Sequence, residues 1–175
     1  RIFNEKAVDE LVVFDIDATA ESREPDYRLI EHLAIECRMP LCYGGGVTTV
    51  DQIQRIVSLG VEKIAISAAA VANPGIVQEG AVCVGCQSIV VVMDIKRRGL
   101  LQKSEVVTHN GTRGTGLSPV EFAVLCEGLG AGEIVINSVD RDGTMEGYEL
   151  EVVRRIREAI SLPVTVVGGA GSHED

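Results

Sequence analysis

An aspartate ends the most apolar stretch of this sequence and is well placed for proton transfer. Asp94 directly follows Ile89–Met93, a run made only of apolar residues. A carboxylate at the end of a buried strand is partly removed from water, which can hold its pKa where it exchanges protons with a substrate. Two structural roles stay open beside this one: Asp94 caps the following loop, or it pairs with Lys96 or Arg97.

Two glycine clusters end other apolar runs. One follows Pro40–Tyr43 and the other follows Pro163–Val167. Glycine lets the backbone approach a ligand and point successive N–H groups at it, and a helix that begins behind the turn strengthens such an anion site. Tight turns also need glycine for their own geometry, so either cluster alone is weak evidence. Together they favour a substrate with a phosphate at each end, bound by Gly45, Gly46, Gly168 and Gly169.

A short motif occurs twice. The segment 15–19 (Asp-Ile-Asp-Ala-Thr) resembles the segment 140–144 (Asp-Arg-Asp-Gly-Thr), and a glycine cluster follows each copy after the next apolar run. This order indicates two related halves of one barrel. In the second copy, Asp142-Gly143 predicts a turn whose amides contact phosphate, although an ordinary Asp-Gly turn explains it equally well.

Several classes of function are disfavoured. The net charge of −10 argues against nucleic-acid binding. No histidine stands beside a plausible nucleophile, no paired Cys/His spacing predicts a metal, and G-x-G-x-x-G is missing, so we expect neither a metal nor a cofactor. Cys83 and Cys86 form a C-x-x-C that is better explained as two small residues leading into a strand than as a redox pair or half a metal site.

The sequence also predicts a location. Five cysteines without a signal peptide favour a reducing compartment. No apolar run reaches the about 18 residues of a membrane span. We therefore expect a soluble, cytoplasmic protein without membrane contact.

The elements that must position these residues alternate between strand and helix. Six apolar runs each precede a turn and an amphipathic segment, which predicts an α/β fold with parallel strands. We interpret residues 1–175 as one (β/α)8 TIM-type barrel domain that is incomplete, with about six units corresponding to strands two to seven. The segment Ile95–Leu117 predicts a β-hairpin inserted after the fifth strand. Unpaired edges at both ends would favour self-association.

The motifs resemble one family throughout the chain. Tyr43-Gly44-Gly45-Gly46, Gly130-Ala131-Gly132-Glu133-Ile134 and Asp140-Arg141-Asp142-Gly143-Thr144 occur in the order found in the cyclase subunit of imidazole glycerol phosphate synthase. The resemblance implies a lyase of histidine biosynthesis. A partner glutaminase would supply ammonia, which attacks a bisphosphorylated formimino-aminoimidazole-carboxamide ribonucleotide. The products would be imidazole glycerol phosphate and the aminoimidazole-carboxamide ribonucleotide.

The resemblance also implies roles for residues. Asp94 would be one of two catalytic aspartates, and the other would lie on a first strand ahead of residue 1. Gly46 would serve one phosphate site, and Asp142, Gly143 and Gly169 the other. A charged gate at the barrel floor, where ammonia enters, would consist of Glu10, Lys63 and Glu133.

One departure from the family pattern leaves the substrate open. The family has Asn-Thr after its fourth strand, whereas this chain has Ser67-Ala68, which removes an amide and a hydroxyl from the first phosphate site. A paralogous barrel subunit of a glutaminase-coupled amidotransferase in surface-polysaccharide biosynthesis is therefore one alternative. Another is a non-catalytic barrel fragment that docks a glutaminase.

Overall fold

Parallel strands dominate the computed structural model, which describes residues 2–6, 8–99 and 103–172. Their burial follows from their sequences, since runs of Val, Ile and Leu suit strands that are covered on both faces. In chain order the strands of the described part are β1 (Leu11–Phe14), β2 (Leu41–Gly44), β3 (Lys63–Ile66), β4 (Ile89–Arg98), β5 (Lys103–Thr108), β6 (Arg113–Gly114), β7 (Glu133–Ser138) and β8 (Val164–Val167).

Helices connect most of the parallel strands. They are α1 (Ile2–Glu5), α2 (Tyr27–Glu36), α3 (Val50–Ser58), α4 (Ala68–Ala72), α5 (Gly75–Val84), α6 (Pro119–Gly128) and α7 (Leu150–Ala159), with a 3-10 turn at Cys86–Ser88. Side chains fix two of the helix starts. Asp26 accepts hydrogen bonds from the first turn of α2, and Thr49 forms a reciprocal capping box with Gln52 at the start of α3.

The parallel strands form a curved sheet in the order β1-β2-β3-β4-β7-β8. Neighbours in this order are also neighbours along the chain, apart from the excursion between β4 and β7, as expected for consecutive βα units. Within the described residues, β1 and β8 each pair with a single strand. The predicted α/β architecture, an open (β/α)8-type barrel with six parallel strands, is confirmed.

The two faces of the sheet differ in what covers them. Outward side chains such as Leu41, Ile64 and Ile134 pack with the helices into the main hydrophobic core. A second, smaller cluster lines the inner face and consists of Cys42, Ala65, Val90, Val92 and Val135. On the edge strands the inner face is partly exposed, with Phe14 at 40% and Val167 at 38%.

The hairpin predicted after the fifth strand of the complete barrel, which is β4 in this chain, is present. β4 continues past Asp94 to Arg98 and pairs there with β5 in antiparallel fashion, and β5 in turn pairs with β6. The strand was predicted to end at Asp94, but it instead exchanges a parallel neighbour for an antiparallel one. The same residue therefore belongs to the barrel and to the base of the hairpin.

Two helices between β3 and β4 were not predicted. α4 and α5 consist largely of small or apolar residues, so they show no clear polar face and no helical period. Cys83 lies in α5 and Cys86 in the following turn, and both are exposed free thiols. No cluster of metal-binding side chains occurs among the residues that the structure describes. Within the same residues no helix has the length and apolar character of a membrane span.

Candidate active site

Strand alternation points Asp94 into the barrel. Val90, Val92 and Asp94 share one face of β4, and the first two belong to the inner cluster. Oδ1 of Asp94 accepts a hydrogen bond of 2.8 Å from Nδ2 of Asn137. Burial raises the pKa of the Asp94 carboxyl, and the bond from Asn137 opposes this rise only in part. Asp94 is therefore a carboxyl group with raised proton affinity at the carboxyl end of the sheet.

The cations next to Asp94 in sequence bind other carboxylates. Nζ of Lys96 lies 3.9 Å from Oδ1 of Asp140, and the guanidinium group of Arg97 binds the carboxylate of Glu149. Among the described residues, Asp94 therefore pairs with neither cation, and this alternative is wrong. Asn137, which was not among the predicted site residues, is the partner of Asp94 instead. Its signal was present, because Asn137 directly follows the apolar run Ile134–Ile136, as Asp94 follows its own apolar run.

The first glycine turn requires glycine both for its backbone conformation and for its packing. Gly45 and Gly46 follow β2 with φ of 127° and 69°, in the region that disfavours side chains. A Cβ on either residue would come within 2.5 Å of a backbone oxygen of the preceding βα loop, that of Asp15 or that of Arg23. These glycines are therefore required by the packing of two neighbouring loops. Ser67 and Ala68 follow β3 at the same edge of the sheet, and both are partly exposed.

The second glycine turn contacts the loop that follows β7. Gly168 and Gly169 have φ of 87° and 105°, and the carbonyl of Gly169 accepts a 2.8 Å hydrogen bond from the N–H of Gly147. Residues 139–149, called here the β7–α7 loop, present Asp142 and Gly143 as exposed residues. The two glycine turns follow strands separated by β3, β4 and β7. All the predicted rim residues thus lie at the carboxyl ends of parallel strands.

Three charged residues meet at the opposite end of the sheet. Nζ of Lys63 lies 2.9 Å from Oε2 of Glu10 and 2.9 Å from Oε2 of Glu133. Oε1 of Glu133 also accepts a 2.6 Å hydrogen bond from the Thr165 hydroxyl, a contact that the sequence did not predict. Burial opposes the charge of Lys63, but the two carboxylates outweigh it and raise its pKa. The cluster is therefore a charged layer at the amino ends of the strands, called here the floor cluster.

A cavity of about 500 Å³ adjoins the floor cluster and the inner face. Its walls include the carboxylates of Glu10 and Glu133 and the apolar side chains of Val90 and Val135. Cys42 also lines it, and burial raises the pKa of this thiol to about 12, so the thiol stays neutral at pH 7. Polar groups stand at both ends of the inner face and an uncharged lining lies between them.

The fold and these features define a (β/α)8-type barrel protein with a partly buried carboxylate at its rim and a charged floor. Comparisons with known proteins agree: a family model described as histidine biosynthesis protein matches residues 1–175. The chain belongs to this family of histidine biosynthesis proteins, which includes the HisF subunits of imidazole glycerol phosphate synthase.

Relatives support the family at high identity. A protein of Leptospira interrogans, provisionally named imidazole glycerol phosphate synthase subunit HisF, is 53% identical over 175 residues, which are 100% of this chain and 69% of the relative. The imidazole glycerol phosphate synthase subunit HisF of Nitratidesulfovibrio vulgaris is 41% identical over 181 residues, covering 99% of this chain and 69% of the relative. The relatives thus share the whole of this chain and extend beyond it.

Proposed function

We propose that this chain acts as the cyclase subunit of an imidazole glycerol phosphate synthase in histidine biosynthesis. It would use ammonia from a glutaminase subunit to convert the bisphosphorylated formimino-aminoimidazole-carboxamide ribonucleotide into imidazole glycerol phosphate and the aminoimidazole-carboxamide ribonucleotide. The observation that carries the proposal is the layering of the inner face. It has an ionic floor, an uncharged middle and the Asp94–Asn137 pair at the rim.

Asp94 is the proposed proton-transfer residue. Its raised pKa brings the carboxyl closer to the pH at which it can both accept and release a proton, which is the requirement for general acid–base catalysis. Asn137 binds one of its oxygens, which leaves the other oxygen for a substrate atom. A single group of this kind contributes about 10² to 10⁴-fold to a rate.

The rim turns are the proposed phosphate sites. Gly45, Gly46, Ser67 and Ala68 would receive one phosphate, and Asp142, Gly143, Gly168 and Gly169 would receive the other. Because the two turns follow strands on either side of β4, a ligand that spans them would cross Asp94. This arrangement supports a substrate with phosphates at both ends, and it supports one barrel domain over residues 1–175.

The floor cluster is the proposed entry point for ammonia. Neutral ammonia can cross a lining of Cys42, Ala65, Val90, Val92 and Val135 without the large cost of burying an ion. The glutaminase would dock at the floor, at the amino ends of the strands. Glu10, Lys63 and Glu133 would then form the gate between the two subunits.

An assay of ammonia-dependent product formation tests this function. We expect Asp94→Asn to reduce turnover by about 10² to 10⁴-fold, while Asp51→Asn, an exposed aspartate on α3, leaves it near the wild-type rate. The assay should include the chain extended by the segments that its relatives carry beyond this region. Equal turnover in Asp94→Asn and wild type would exclude the assigned role.

One difference in sequence is the basis for a second candidate acceptor of the ammonia. Ser67 offers one hydroxyl at the first phosphate site, and Ala68 offers only a methyl group. An amidotransferase of surface-polysaccharide biosynthesis would use the same ammonia route with a different acceptor. Supplying both acceptor classes in the assay separates the two, because the histidine-pathway function requires product from the bisphosphorylated ribonucleotide.

A further inference from the structure

A buried carboxylate near the rim binds two arginines and has no part in the proposed chemistry. Glu149 precedes α7, and only 6% of its side chain is exposed. Oε1 accepts hydrogen bonds from Nε of Arg97 at 3.1 Å and from its Nη2, and Oε2 accepts one of 3.0 Å from Nε of Arg141. Burial would raise the pKa of Glu149, but the arginine hydrogen bonds outweigh burial and lower it, so Glu149 is ionised at neutral pH.

The two arginines come from different parts of the rim. Arg97 lies near the end of β4, opposite Ser104 in the hairpin. Its backbone N–H donates a 2.9 Å hydrogen bond to Oδ2 of Asp140. Arg141 belongs to the β7–α7 loop. Glu149 therefore connects the hairpin, the loop and the start of α7 through one carboxylate.

Arg141 also fixes the shape of its own loop. Its Nη1 donates to the carbonyl oxygens of Glu146 at 3.2 Å and Gly147 at 3.0 Å. These bonds draw the two ends of the segment 141–147 together, with Asp142 and Gly143 between them. The N–H of Gly147 in turn binds the carbonyl of Gly169, which couples this segment to the second glycine turn.

Fold stability alone does not explain such an arrangement. Burying the carboxylate of Glu149 is costly even though Arg97 and Arg141 stay partly exposed, and apolar residues of similar volume often stabilise a fold equally well or better than a buried ion pair. What apolar residues cannot supply is direction, because a carboxylate that accepts from two guanidinium groups sets the position of both. This geometry is suited to fixing the position of the β7–α7 loop.

We propose that Glu149 is a positioning residue that holds Asp142 and Gly143, through Arg141, in the conformation that receives a phosphate, and ties this loop to the hairpin through Arg97. The phosphate part of this inference rests on the proposed function. The positioning of the loop does not.

Amide hydrogen exchange of the full chain tests the positioning. In Glu149→Gln, the amides of Thr144 and Gly147 should exchange about tenfold faster than in wild type, because local opening becomes easier. The amides of Ile134 and Ile136 in β7 should keep their protection. Glu158→Gln, at an exposed glutamate within α7, is the matched control. Unchanged exchange at Thr144 and Gly147 would overturn the proposal.

Variants of the arginines cover the case in which Glu149→Gln does not fold. Arg141→Lys keeps the charge but loses the fork that reaches both Glu149 and the two carbonyls, so it should loosen the β7–α7 loop. Arg97→Gln should loosen the hairpin amides of Val106 and Thr108 as well. Glu149→Asp, which keeps the charge on a shorter chain, should restore part of the protection. Wild-type exchange in Arg141→Lys would count decisively against the role of Glu149.

A titration with inorganic phosphate, followed at the amide resonance of Gly143, separates this inference from the proposed function. We expect a saturable shift in wild type and about tenfold weaker binding in Glu149→Gln. Equal binding in both proteins would refute positioning for phosphate and leave the proposed function intact. A wild-type protein without any response, but with the expected exchange result, would support loop positioning and remove the phosphate site from the proposed function.

Discussion

Asn137 and Asp94 face each other in register across β7 and β4, with Nδ2 of Asn137 2.8 Å from Oδ1 of Asp94. The amide donates, so it stabilises the charged carboxylate against the burial that favours the neutral acid. The proton affinity of Asp94 is thus set by two opposed effects, of which burial is the larger. Changing either one should move the pH dependence of the reaction in a known direction.

Replacing the amide should shift the acid limb of the pH–rate profile. Asn137→Leu removes the donor while keeping a side chain of similar size, so the pKa of Asp94 should rise further. The acid limb of kcat/KM should move to higher pH by about one unit, since a hydrogen bond to a charged group contributes roughly 1.5 kcal/mol, and activity should fall by up to about tenfold on the acid side of that limb. Gln54→Leu on the exposed face of α3 is the control. An unmoved limb would show that Asn137 does not tune this carboxyl.

Asp94 should also lower the stability of the fold at neutral pH. A carboxyl whose folded pKa lies above its unfolded value destabilises the native state at a pH above both values, and the penalty disappears as pH falls through the folded pKa. Asp94→Asn should therefore raise Tm by a few degrees at neutral pH while it lowers turnover. Thermal melts at several pH values check this, and the gain should shrink towards acid pH. A gain that is the same at every pH would exclude ionisation of Asp94 as its cause.

The floor cluster gives a prediction about ammonia. Glu133 binds both Lys63 and Thr165, so Glu133→Ala frees the lysine on one side and opens the cavity floor. We expect glutamine-dependent turnover to change more than ammonia-dependent turnover, because only the first requires transfer from the partner. Thr165→Val removes one hydrogen bond but keeps the ion pair, so its effect should be smaller. Equal losses in the two assays would contradict a gate.

The sequence predicted what depends on local pattern. Asp94 was identified because it ends an unbroken apolar run, and the hairpin was found because Ile95–Leu117 breaks the strand–helix rhythm. The bond from Asn137 needed the register of β4 against β7, which no local pattern contains. Glu149 was missed for a related reason. Its partners lie 52 and 8 residues away, and a lone glutamate before a helix usually indicates only a helix start.

Residues 68–84 illustrate a different limit. Helices are recognised in a sequence by the contrast between a polar and an apolar face, and α4 and α5 carry few polar residues. Ile76, Val77, Gly80 and Ala81 are buried, and Gly80 allows Ile53 and Ile89 to pack against the backbone. Tertiary packing fixes these helices, and periodicity alone therefore does not reveal them.

Glycines at the rim should respond differently to the same substitution. Gly143 and Gly169 both have positive φ, of 74° and 105°, but a Cβ on Gly143 meets nothing within 4 Å, whereas one on Gly169 overlaps the carbonyl oxygen of Gly147. Gly143→Ala should lower the free energy of unfolding by about 1 to 2 kcal/mol, the cost of a left-handed alanine. Gly169→Ala adds a backbone clash and should cost roughly 3 kcal/mol.

Urea unfolding of the two variants measures this difference, with Gly116→Ala as a control at another open, positive-φ position. The control should match Gly143→Ala in stability. If Gly143 also contacts phosphate, Gly143→Ala should weaken phosphate binding at nearly unchanged fold, and Gly116→Ala should not. Similar unfolding free energies for Gly143→Ala and Gly169→Ala would mean that the β7–α7 loop moves away from the second glycine turn at little cost. That result would contradict a structural coupling between these two loops.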